Sequence, residues 1–218
     1  MEFLDPKILE YVEAHTAAEP EILKRLNRDT HAKVLMPRML SGHLQGRVLS
    51  MFSRMIQPLH VLEIGTYTGY SAICLAEGLH PDGFLHTIDI NEELEPMVKQ
   101  AIKESGLQDN IVQHIGNALE IIPTIDNEWD LVFIDADKIN YSRYYDLVID
   151  NVKPGGFIIA DNVLWSGKVI EEKVDKDTAA LLEFNRKVQN DPRVMNVLFP
   201  VRDGLMVIQK LVQKVVGG

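Results

Sequence analysis

The chain has 218 residues, 46% hydrophobic and 25% charged, which suits one domain with a full core rather than two small ones. Its net charge of -10 argues against a large nucleic-acid footprint, although a local basic patch stays open. A lone cysteine, Cys74, excludes an intrachain disulfide and a cysteine-based zinc site. With no membrane-length apolar run and no secretory signal at the N-terminus, a cytoplasmic globular protein is expected.

The first part of the chain reads as helical. Pro6 suits a helix start, and Ile8, Leu9 and Val12 recur at helical spacing. Pro20 opens a second segment carrying Ile22, Leu23 and Leu26. A third, near 43–57, sets Leu44, Val48, Leu49, Phe52 and Met55 along one face. Within a single domain, residues 1–57 are thus expected to cover an α/β core spanning 58–218.

At Pro58 the pattern changes. Residues 60–65 form a short apolar run that stops at glycine, as a buried parallel strand does. Further strands are expected at 84–90, 111–115, 130–135 and 156–161, with helices starting near Gly69, Glu92, Leu119 and Tyr141. Such alternation predicts a Rossmann-like, doubly wound sheet. Two β-rich runs, 194–199 and 205–211, are joined by Pro200-Val-Arg-Asp-Gly204, which predicts an antiparallel C-terminal hairpin. The expectation is a seven-stranded mixed sheet under an N-terminal helical cover.

Ligands of an open α/β sheet bind at the carboxyl ends of its strands, near the point where strand order reverses. The first strand runs into Glu63-Ile-Gly65-Thr66-Tyr67-Thr-Gly69-Tyr-Ser71, and the second ends at Asp89. A carboxylate there can accept hydrogen bonds from the ribose hydroxyls of an adenosine. A diphosphate cofactor favours Gly-x-Gly-x-x-Gly, whereas this turn has only Gly65 and Gly69. Glu63 would repel a diphosphate and suit the ammonium of a sulfonium amino acid. The turn therefore favours S-adenosylmethionine (SAM) over a nicotinamide dinucleotide. A tight turn without ligand, with Asp89 capping a helix, is the alternative. Gly116-Asn-Ala118 would admit a flat ring beside the backbone, or is an ordinary loop.

Strand four leads into Asp135-Ala-Asp137-Lys138, and strand five into Asp161-Asn162. If these strands are neighbours, their ends lie about 5 Å apart. Asp135, Asp161 and the Asn162 amide oxygen would then offer three hard oxygen donors, a Mg²⁺-type site with open positions. Otherwise Asp135 caps the next helix and Asp161-Asn162 form a turn. Asp137, on the same loop, is a competing candidate that is left out of the set. Lys138 beside a cation becomes a general base for a phenolic hydroxyl; without those neighbours it is a solvated lysine.

Leu62-Glu-Ile-Gly-Thr-Tyr-Thr-Gly-Tyr-Ser71, Phe133-Ile-Asp-Ala-Asp-Lys138 with Tyr141 and Tyr144, Pro154-Gly-Gly156, and Asp161-Asn-Val-Leu-Trp-Ser-Gly167 together resemble the cation-dependent catechol and caffeoyl-CoA O-methyltransferases. The resemblance runs from about Met39 into the C-terminal hairpin. It implies methyl transfer from SAM to one hydroxyl of a catechol-like small molecule. Asp135, Asp161 and Asn162 would hold Mg²⁺, or another divalent cation such as Mn²⁺ or Ca²⁺, and Lys138 would deprotonate the attacking hydroxyl. Glu63, Gly65, Thr66, Tyr67 and Ser71 would hold the donor, with Asp89 at the ribose, Ala118 at the adenine, and Asp135 shared between donor and metal. Met39 and Ser41 would close over its methionine end, and Trp165 and Tyr141 would wall the acceptor pocket. A homodimer is implied too. The N-terminal helices carry no transferable motif, and the extra acidic substrate contact of the animal catechol enzymes has no clear counterpart.

A related group methylates 5-hydroxyuridine in tRNA, and Pro200-Val-Arg-Asp-Gly-Leu205 resembles it as well. An RNA acceptor would need a basic patch, for which Lys24, Arg25, Arg28, Lys33, Arg38 and Arg47 are the candidates. Asp203 reads as a turn residue before Gly204 rather than a pocket wall.

Overall fold

The computed structural model describes residues 5–212. Its strands are β1 (His60–Ile64), β2 (Phe84–Asp89), β3 (Ile111–Ile115), β4 (Trp129–Ile134), β5 (Val152–Ala160), β6 (Val194–Phe199) and β7 (Leu205–Lys210). They make one seven-stranded sheet in the order β3-β2-β1-β4-β5-β7-β6. β1 to β5 pair in parallel, while β7 runs antiparallel to both β5 and β6. This is the expected mixed sheet closed by a hairpin. The central strands are mostly apolar because both faces are covered: Val61, Leu62, Leu131, Val132, Phe133 and Ile134 are all buried.

The helices are α1 (Pro6–Ala14), α2 (Glu21–Lys33), α3 (Gly42–Ile56), α4 (Tyr70–Ala76), α5 (Glu95–Glu104), α6 (Ala118–Ile121), α7 (Tyr141–Ile149) and α8 (Lys176–Asn190). One core layer joins α2, α3, α4 and α5 to one sheet face, and the other joins α6, α7 and α8 to the opposite face. Sequence reading left α8 out, although its signals are ordinary. Asp175 caps it by accepting from the Thr178 N–H at 2.8 Å, and Leu181, Phe184 and Val188 fall buried at helical spacing.

The third helix differs from its expected face. Met55 is exposed, and the buried positions of α3 are Gln45, Gly46, Leu49, Ser50 and Ser53. The reason is close approach to α4: a Cβ on Gly46 would lie 2.6 Å from Tyr70 Cε1 and 2.9 Å from Cys74 Sγ. Small and polar residues therefore make the contact, while Leu44 and Val48 of the apolar stripe line a cleft.

From β1 the chain moves outward to β2 and β3, then returns to β4 on the other side. The order thus reverses between β1 and β4, and a crevice forms above their carboxyl ends.

Candidate active site

A cleft of about 2110 Å³ opens there. Small-molecule sites commonly occupy about 300–1,000 Å³, so two ligands fit side by side. Its walls come from the turns after β1, β2, β3, β4 and β5, from the segment ahead of α3, and from the β6–β7 turn. Of the non-glycine residues with left-handed backbone among those described, Met36, Tyr67, Asn162, Trp165, Ser166 and Arg202 line this cleft, and Gln57 does not. Backbone strain persists where surrounding structure over-determines it, which is common around functional sites.

On one side lies the glycine turn. Gly65 has φ +105°, and a Cβ on it would collide with the Asp135 carbonyl oxygen. The glycine is thus required by the neighbouring strand end, not only by close approach of a ligand. Asp89 holds the turn from β2: one carboxylate oxygen accepts from the Tyr67 N–H at 2.7 Å, the other from the Asn91 N–H at 2.9 Å. The helical cap after β2 is Asn91, which accepts from the Glu93 N–H, so Asp89 is not the cap. Thr66, Ser71 and Ala118 line the cleft and are nearly covered. Met39 and Ser41 border it from the segment before α3, which the Tyr67 hydroxyl ties down through the Met36 carbonyl at 3.2 Å.

Glu63 lies beneath this wall, fully buried. Its Oε2 accepts from the Thr87 hydroxyl at 2.6 Å, while its Oε1 has no hydrogen-bond partner. Burial pushes its pKa up to about 8, against the opposing pull of the Thr87 hydroxyl.

The other side carries the acids. β4 and β5 are parallel neighbours, and the Asp161 N–H donates to the Ile134 carbonyl at 2.9 Å, so Asp135 and Asp161 stand next to each other. Asp161 is 2% exposed. Its Oδ1 accepts from the Asn162 N–H at 2.7 Å and its Oδ2 from Gln45 Nε2. Burial first, then the Asp135 charge, raises the pKa of this carboxyl.

Lys138 is no solvated lysine: it is 8% exposed. Its Nζ donates to Asp135 Oδ1 at 3.1 Å, to Asn162 Oδ1 at 2.8 Å and to the Tyr141 hydroxyl at 2.7 Å. Trp165 lines the cleft with its ring centroid 5.6 Å from the same Nζ. Tyr141, in contrast, is fully buried and is not a pocket wall. Its hydroxyl instead donates to the Asp161 carbonyl at 3.0 Å, bracing Lys138 against the end of β5. Asp137 engages Tyr144 and Asn140, each at 2.6 Å, rather than the cluster. Among the described residues no group of three or more His, Cys, Asp or Glu side chains could hold a metal ion. The donor set here is two carboxylates plus the Asn162 amide, hard oxygens of the kind Mg²⁺ accepts.

Asp203 does more than turn the chain. Its carboxylate accepts from the Ser166 N–H and its carbonyl from the Leu164 N–H at 2.9 Å, clamping the loop that carries Trp165. Gln45 and Arg202 were not singled out as site residues, and a glutamine within a helix gives no signal by itself. Here Arg202 Nη1 donates to Gln45 Oε1 at 3.3 Å and to the Leu40 carbonyl at 3.2 Å.

The basic patch expected for an RNA acceptor is largely paired. Lys24, Arg25, Lys33 and Arg47 form ion pairs with Glu21, Glu104, Asp29 and Glu77 respectively. Arg47 is also mostly covered between α3 and α4. No helix among the described residues is long and apolar enough to cross a membrane.

A family model described as O-methyltransferase matches residues 13–211. Curated relatives include caffeoyl-CoA O-methyltransferase 5 of Nicotiana tabacum, 32% identical over 88% of this chain and 85% of its own. The caffeoyl-CoA O-methyltransferase of Mesembryanthemum crystallinum is 34% identical over 88% and 81%. Among solved structures, a Streptomyces achromogenes O-methyltransferase involved in tomaymycin synthesis, in complex with SAM, superposes with a TM-score of 0.86 at 27% identity, covering 94% of this chain and 96% of that one. An O-methyltransferase from Bacillus cereus, in complex with SAH, gives 0.84 at 26%, covering 94% and 97%.

Proposed function

The chain belongs to the O-methyltransferase family, and from that premise we propose that it methylates one hydroxyl of a catechol-like small molecule with the help of a divalent cation. It is a SAM-dependent O-methyltransferase; the acceptor class and the cation are the finer part of the reading. The observation that carries it is the cluster of Lys138, Asp135 and Asn162 at the ends of β4 and β5, with Asp161 beside them, on the wall of a cleft that also borders the glycine turn.

In this reading Gly65, Thr66, Tyr67 and Ser71 hold the methyl donor, Asp89 its ribose and Ala118 its adenine, with Met39 and Ser41 over the methionine end. The unpartnered Oε1 of Glu63 supports a cationic ligand above it. Asp135, Asp161 and Asn162 would hold Mg²⁺, Mn²⁺ or Ca²⁺. A cation there would supply Lewis acidity and help to orient the acceptor. Lys138 donates three hydrogen bonds as the ammonium, so as the base it would first give up one of those protons and then, as the neutral amine, take the proton from the attacking hydroxyl. Trp165 packs against the acceptor ring. The helical cover (1–57) and the core (58–218) act as one unit, and a cytoplasmic homodimer belongs to the same reading.

The test is methyl transfer from labelled SAM to caffeic acid and related catechols, with Mg²⁺ and then with EDTA. Turnover abolished by EDTA is the expected result, and Lys138→Met should lower kcat by about 10²–10⁴-fold with donor affinity intact. Turnover indifferent to EDTA would refute the cation, and no turnover on any catechol would refute the acceptor class.

A further inference from the structure

We infer that Gln45, on the helical cover, is a positioning residue for Asp161, and that Arg202 in the β6–β7 turn sets the direction of its amide. The inference rests on the reading of Asp161 as a cation ligand.

A side-chain amide can sit either way round, exchanging a donor for an acceptor. Arg202 removes the choice. A guanidinium only donates, and Arg202 Nη1 lies 3.3 Å from Gln45 Oε1. The amide oxygen must therefore face Arg202, which turns Nε2 onto Asp161 Oδ2. The reversed amide would set donor against donor at Arg202 and oxygen against carboxylate at Asp161. Arg202 is itself anchored through the Leu40 carbonyl at 3.2 Å.

The consequence falls on the plane of the Asp161 carboxylate. Its Oδ1 is held by the Asn162 N–H at 2.7 Å, and its Oδ2 by Gln45. Both oxygens are fixed, and the orientation relative to Asp135 and Asn162 follows. Gln45 and Asp161 are each 2% exposed, so water does not readily replace a lost partner. Three distant parts of the chain meet in this relay: α3, the end of β5 and the β6–β7 turn. The helical cover thereby supports the acid cluster directly, not only the donor side of the cleft.

Partners that orient metal ligands typically contribute about 10–100-fold in metal affinity. Mn²⁺ binding to the full chain, followed by electron paramagnetic resonance without acceptor, reads this apart from turnover, and SAM affinity serves as the control for an intact cleft. Gln45→Met keeps the side-chain length and removes both hydrogen bonds. It should weaken Mn²⁺ by about 10–100-fold and leave SAM affinity unchanged. Arg202→Met frees the amide to reverse and should weaken Mn²⁺ less, in the same direction. Wild-type Mn²⁺ affinity in Gln45→Met, or equal loss of both ligands, would overturn the inference. If Gln45→Met does not fold, Arg202→Met decides, and unchanged Mn²⁺ affinity there overturns it. A wild-type chain that binds no Mn²⁺ would instead refute the cation reading, and this inference with it.

Discussion

Replacing Glu63 by glutamine tests the electrostatics beneath the glycine turn. In the folded chain this carboxyl is fully buried and its pKa rises from 4.5 to about 8, burial being the largest cause. The unfolded chain therefore gives up this proton at lower pH than the folded one does. Stability from the group is complete below about pH 4.5 and is lost as pH rises through about 8. Each pH unit inside that window is worth about 1.36 kcal/mol, so moving from pH 5 to pH 8 costs the wild type on the order of 3–4 kcal/mol. Glutamine preserves the shape and can still accept from the Thr87 hydroxyl, but it does not titrate. Glu63→Gln should thus match the wild type near pH 5 and exceed it at pH 8. For a chain of this size the gap at pH 8 corresponds to roughly 6–16 °C in Tm. Thermal unfolding of both proteins without ligand, at the two pH values, measures it. A difference that stays constant with pH, or one that favours the wild type at pH 8, would refute the reasoning.

Two further substitutions probe the frame around the cleft. Gly65→Ala adds a Cβ that meets the Asp135 carbonyl oxygen from a backbone at φ +105°, so it should lose more than about 4 kcal/mol in urea unfolding or fail to fold; a wild-type midpoint would contradict the packing argument. Asp203→Ala releases the Ser166 N–H and loosens the loop carrying Trp165. It should raise KM for the acceptor while SAM affinity holds, and equal changes in both would show that the loop does not serve the acceptor side.

The sheet was legible because its evidence is local. Short β-rich runs, each ended by glycine or an acid, mark the strands that stand next to the cleft. The short Pro200–Gly204 connection likewise marks the hairpin. The acid cluster was legible one step further on. Asp135 and Asp161 meet only if β4 and β5 are neighbours, and helix-spaced parallel strands make that the natural order. Tyr141 departs from its expected place. The family resemblance implies a pocket wall there, but its position at the start of α7 turns the ring inward, where Phe184 packs edge-on at 5.5 Å.

What stayed hidden in the sequence is the part of the site that comes from the helical cover. On α3 the apolar residues attract attention, yet packing is decided by Gly46, which brings the helix against Tyr70 and Cys74. That approach delivers Gln45, one position earlier, to a carboxylate 116 residues away. Nothing local in the sequence encodes such a contact, because a helix interior tolerates glutamine as readily as lysine or glutamate. Only the burial of both partners distinguishes it, since an exposed glutamine would exchange its hydrogen bonds with water at little cost. The same holds for Arg202, whose left-handed backbone at φ +51° has no glycine to announce it. Cleft residues whose signal lies in tertiary burial rather than in spacing are the ones that sequence reading passes over, and here those residues orient the carboxylate at the end of β5.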